Sequence, residues 1–78
     1  MDDILFQIMI KCTINVLNVL IQHFKSNYID YDTFKNHTVL KIKFLLDNSD
    51  MFLNSQEKET IQKLLTEYNK ITTVYNTQ

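Results

Sequence analysis

Between Asp3 and Lys25 the polar residues Gln7, Lys11, Asn15, Asn18, Gln22 and Lys25 recur at intervals of three or four. At roughly 100° per residue they fall in one stripe about 80° wide, the signature of a helix. Nearly every other position is apolar, from Ile4, Leu5 and Phe6 through Ile14, Val16 and Leu17 to Leu20, Ile21 and Phe24. The predicted first helix, about 3–25, is therefore apolar over well over half its circumference, where the surface helix of a monomer needs only about a third. Asp2 and Asp3 place negative charge at its start, where the helix dipole favours it.

Ser26 and Asn27 end this helix, because asparagine is the best residue for the left-handed C-terminal position when glycine is absent. Asp30 then reads as the N-cap of a second helix, about 31–47. Ile29 and Phe34 are spaced as a hydrophobic staple across that cap. Its inward stripe is Phe34, Thr38, Ile42 and Leu45, with Val39 and Leu46 beside them. Residues 48–54 read as a connector that carries three consecutive apolar residues, Met51, Phe52 and Leu53. Asn54 with Glu57 fits a capping box, with Ser55 the competing cap, that opens a third helix, about 55–74, whose stripe is Ile61, Leu64, Leu65, Tyr68, Ile71 and Tyr75. Glu59 and Lys63 form an i,i+4 pair on its outer face.

Three helices joined by short turns predict one domain over 1–78, an all-α antiparallel bundle running up-down-up. Helix one has more apolar surface than two neighbours can cover, and a core of this size supplies only about 3–5 kcal/mol. Assembly through helix one, as a homodimer or with a larger protein, answers both problems. The expected contact residues are Ile8, Cys12, Val16, Val19 and His23, which share one side, together with Met51 and Phe52 of the connector. Phe6, Met9, Leu17, Leu20 and Phe24 are then expected to face helices two and three; the pattern equally allows the two sides to be exchanged.

Composition narrows the function classes. Eight basic and nine acidic residues give a net charge of −1, and all eight basic residues are lysines, so the basic excess and arginines of a nucleic-acid binder are missing. With no Gly there is no phosphate-cradling loop, and tight Asn-Gly hairpins are excluded too. The absence of Gly, Pro, Ala, Arg and Trp beside abundant Asn, Ile and Lys points to an AT-rich genome, such as that of a low-GC bacterium, its phages and plasmids, or a poxvirus-like or protist genome. The 21 residues from Ile4 to Phe24 would span a membrane by length. Lys11, Asn15, Asn18 and Gln22 sit mid-segment, however, and are costly in hydrocarbon, and the start is acidic with no small-residue cleavage site after it. A cytoplasmic protein is expected.

Chemistry-bearing residues are few. Cys12 is the one cysteine; lying among Ile8, Met9 and Val16 it reads as a buried, inert thiol. His23 and His37 lack the further ligands of a zinc site, and His23 suits the C-terminal end of a helix dipole. Asp30-Tyr31-Asp32 begins like a calcium loop, but Lys35 and Lys41 occupy the positions that need Gly and Glu. No metal, cofactor, small-molecule substrate or catalytic residue is expected, and the chain is read as not an enzyme. Ser55-Gln56-Glu57 with Leu64, Leu65 and Tyr68 is similar to helical-hairpin aspartyl-phosphate phosphatases of sporulating bacteria. Lys58 and Glu59 replace the Leu and functional Asp of that motif, so no activity carries over. The expectation is a small protein–protein interaction module, a regulator or inhibitor. The alternative is a DNA-binding regulator that uses helices two and three, with Lys35, Lys41 and Lys43 at phosphates. Helix three, in the recognition position, balances Glu57, Glu59 and Glu67 against Lys58, Lys63 and Lys70.

Overall fold

The computed structural model describes the backbone of residues 2–52 and 54–76 and the side chains of 4–48 and 54–76. It consists of three helices, α1 (Asp2–Lys25), α2 (Tyr31–Phe52) and α3 (Ser55–Asn76), with no strand among the described residues. They pack as an all-α three-helix bundle measuring 45 × 19 × 17 Å.

The junction between α1 and α2 follows from side-chain chemistry. Asn27 adopts φ 66°, the left-handed conformation that asparagine tolerates best after glycine. Around it the Tyr28 N–H donates to the His23 carbonyl (2.9 Å) and the Asn27 N–H to the Phe24 carbonyl (3.0 Å). This is the Schellman pattern, and the expected contact between its flanking side chains is present: the His23 and Tyr28 rings meet edge-on at 5.5 Å. Three residues on, Asp30 Oδ1 accepts from the Thr33 N–H at 2.8 Å, which caps α2. The Thr33 side chain and N–H hold the Asp30 carboxyl below its usual value. The cap therefore stabilises the fold above the unfolded carboxyl pKa and weakens as pH falls through the lower, folded one. Asn54 caps α3 in the same way, its Oδ1 accepting from the Glu57 N–H at 2.8 Å. Asn54→Ala is expected to lower stability by about 1 kcal/mol, measured by urea unfolding; an unchanged midpoint would remove the cap from the list of stabilising contacts.

Ring contacts fix the direction of packing. Phe6 of α1 lies 5.9 Å from Phe44 of α2, while near the other end Phe24 stacks on Phe34 at 4.7 Å, so α1 and α2 are antiparallel. Phe24 also meets Tyr75 edge-on at 5.4 Å, and Lys25 Nζ lies 3.1 Å from Glu67 Oε2, which returns α3 parallel to α1. That ion pair is half exposed and contributes at most about 1 kcal/mol. It takes the place of the expected Glu59–Lys63 pair among the described residues.

The core is Ile10, Ile14, Leu17 and Ile21 from α1, Phe34, Thr38, Ile42 and Leu45 from α2, and Ile61 and Leu64 from α3. The α2 stripe is the expected one. Thr38 is fully buried, its hydroxyl donating to the Phe34 carbonyl at 2.8 Å, so its polar group is satisfied within the helix. At the closed end, Tyr31 lies parallel to Tyr75, with ring centroids 4.3 Å apart. The Tyr31 hydroxyl is buried and has no hydrogen-bond partner among the described residues. Tyr31→Phe keeps the stack and removes that group, so a gain of about 1 kcal/mol in thermal or urea unfolding is expected, and a loss would contradict it.

Several expectations are corrected. Residues 48–52 are not a connector: α2 continues through Asp47, Asn48, Ser49 and Asp50 to Phe52. These polar residues resemble a turn, but without Gly or Pro nothing breaks the backbone, and the Asn48 amide donates to the Phe44 carbonyl four residues back at 2.8 Å. α3 likewise runs two residues beyond Val74. Val39 and Leu46 are exposed, as is Met9, which was expected to face the other helices. Tyr75 is exposed in part while still stacked on Tyr31.

Candidate interaction surface

With Ile10, Ile14, Leu17 and Ile21 turned inward, the 100° step of the helix sends a second set of α1 residues to the opposite side. Ile8, Cys12, Val16, Val19 and His23 are all exposed there, on one face, as the sequence reading expected of contact residues. Leu5 and Met9 join them, a membership the sequence reading missed. The signal was available, because on a helical wheel Leu5 falls within the arc of the other five and Met9 lies about 20° beyond its edge at Val16. The large apolar side chains of this face, Leu5, Ile8, Met9, Val16 and Val19, are 43–62% exposed. The polar stripe from Gln7 to Lys25 lies to one side of the face. Along the other side, Met9 and Thr13 line a groove of about 260 Å³ with Leu40, Lys41 and Phe44 of α2. Leu40 is 69% exposed, which extends the apolar surface from α1 onto α2.

Cys12 is not buried as expected; its thiol is exposed on this face. Met51 and Phe52, the remaining expected contact residues, have side chains outside those described. Their backbone is helical, so they are not the loop tip the sequence suggested.

No three His, Cys, Asp or Glu side chains among the described residues come together where they could hold a metal ion. The depression on the outer side of α3 is lined by Glu59, Gln62, Lys63, Thr66, Glu67 and Lys70, an open surface of mixed charge. The pocket where α3 begins is lined by Lys11, Ile14 and Asn15 of α1 with Asn54, Gln56, Glu57 and Thr60, and it is open to solvent. By length and composition α1 is apolar enough to cross a membrane: within Ile4–Lys25 an 18-residue window has mean hydropathy 1.9, with 22% of that window buried within the bundle. No protein-family model, curated protein or solved structure matches this chain.

Proposed function

We propose that the chain is a non-enzymatic protein–protein interaction module, a regulator or inhibitor that engages another polypeptide through the outer face of α1. One observation carries this reading: an apolar stripe running along α1 on the side opposite the core. Exposed apolar surface of this extent, rimmed by Asn15, Asn18 and Gln22, marks contact sites rather than ordinary solvent-facing helix. A small acting surface on a small bundle also suits the cytoplasmic regulators of AT-rich genomes, phages among them, that the composition suggests. The DNA-binding alternative gains no support from α3, whose outer side presents Glu59 and Glu67 beside Lys63 and Lys70.

The test is a photoreactive residue in place of Val19, irradiated in extract of cells that produce the chain. Polypeptide adducts of defined mass that vanish when Val16→Glu is added are expected. Adducts to lipid alone, or to nothing, would overturn the reading. The hydropathy of Ile4–Lys25 favours one other reading, a helix held at or in a membrane. Co-sedimentation of the purified chain with lipid vesicles, lost on Val16→Glu, would select it.

A further inference from the structure

The exposed residues of α1 carry a second period. Leu5, Cys12 and Val19 are spaced by seven, and so are Met9, Val16 and His23, each four residues further on. Those are the d and a positions of three heptads, the repeat that keeps one seam turned toward another helix. The buried residues of α1 obey the same spacing, Ile10 with Leu17 and Ile14 with Ile21, and that seam is filled by α2 and α3. α1 thus carries two helix-packing seams on opposite sides, and the chain fills one.

We infer that the second seam is filled by α1 of a second copy of this chain, antiparallel, about a two-fold axis level with Ile14. The inference rests on the interaction-module reading and names its partner. In that register the seam is self-complementary: Cys12 meets the partner's Val16, Met9 the partner's Val19, and Leu5 the partner's His23. The acidic start of one helix, Asp2 and Asp3, comes level with the basic last turn, His23 and Lys25, of the other. A parallel pairing would instead bring the two acidic starts together. The positions flanking the seam, Phe6, Thr13 and Leu20 on one side and Ile8, Asn15 and Gln22 on the other, carry no charge. Two copies therefore meet without repulsion, whereas an anionic lipid surface would call for lysines along those flanks.

The available area fits as well. The exposed surface of Leu5, Ile8, Met9, Val16 and Val19 with Leu40 is on the order of 500 Å². A standard interface buries about 800 Å² per partner, about 65% of it apolar in homodimers, which requires a similar apolar area.

Light scattering and disulfide trapping test the inference on the full chain. Wild type is expected near twice 9.3 kDa, with Val16→Glu raising the dimer Kd at least tenfold while keeping its helical circular dichroism. For register, wild type is mixed with a Cys12→Ser, Val16→Cys variant and oxidised. A covalent dimer is expected in the mixture and in neither protein alone. The two Cys12 residues of an antiparallel pair lie about 6 Å apart along the axis, which added to the separation between helices exceeds disulfide reach. Cross-linking of wild type alone would mean a parallel pair and overturn the register, as would a mixture that fails to cross-link. A monomer at all concentrations would overturn self-pairing. If Val19 adducts to a different polypeptide persist in that case, the interaction-module reading stands without it. If they are absent too, both fall.

Discussion

Shortening Phe34 to alanine is expected to leave much of the chain unfolded at 25 °C. Phe34 is fully buried where all three helices meet. Its ring stacks on Phe24 at 4.7 Å and lies 5.9 Å from Tyr68, and Ile29 packs against the same cluster across the α2 cap. Removing a buried phenylalanine ring costs about 3–5 kcal/mol, from lost transfer energy and from the cavity left behind. A core in a chain this size supplies a net stability of about the same magnitude, so one substitution consumes most of it. Urea unfolding followed by circular dichroism is the measurement. Phe34→Leu, which refills most of the volume, should cost under about 1.5 kcal/mol. A loss below about 1 kcal/mol for the alanine variant would mean that the three helices do not converge on this ring.

Leu17→Ala is the second large effect, a loss of about 2–5 kcal/mol. Leu17 is 0% exposed at the centre of the inward face of α1, while its neighbour Val16 is 43% exposed on the outward one. The pair separates folding from association. When folding and dimerisation are coupled, the unfolding midpoint rises with protein concentration. Leu17→Ala should lower the midpoint at every concentration and leave that dependence intact. Val16→Glu should abolish the dependence itself. Equal behaviour of the two variants would show that α1 has no distinct inner and outer sides.

How much of this was legible beforehand differs from element to element. The ends of the helices were readable, because Asn27, Asp30 and Asn54 act on backbone groups within a few residues of themselves, and local chemistry is complete in the sequence. The inward stripe of α2 was equally readable, since Asn36, Lys43 and Asp47 lie opposite it on a helical wheel and mark which side is wet. The inward side of α1 was only half readable. Leu17 was placed correctly, but Met9 was assigned inward, and Ile10, Ile14 and Ile21, which form most of that core, were not singled out. A helix apolar over most of its circumference offers no contrast from which to orient it, and the orientation is decided by where α2 and α3 lie. That Ile8, Cys12, Val16, Val19 and His23 share one side needs only a helical wheel, whereas that this side is the exposed one depends on where α2 and α3 lie. That Cys12 is exposed could not follow from its apolar neighbours, as these are themselves exposed. The extension of α2 to Phe52 was missed for a different reason. Asp47 to Asp50 are turn-forming residue types, yet the backbone runs helical through them, and the Asn48 amide donates to the Phe44 carbonyl.

The Schellman turn and the Asp30 cap occupy adjacent positions between His23 and Thr33, and each closes through hydrogen bonds between residues five or fewer apart. Such contacts form early in a collapsing chain, because little loop entropy opposes them. Once this corner exists, α1 and α2 are held facing each other and can zip together from Phe24 and Phe34 outward. Packing built from near neighbours in sequence is the kind that folds in microseconds to milliseconds. On this ground the α1–α2 hairpin is expected to form before α3 docks, carrying the outer face of α1 with it, and folding rates should respond more to substitutions at the α1–α2 corner than to those in α3.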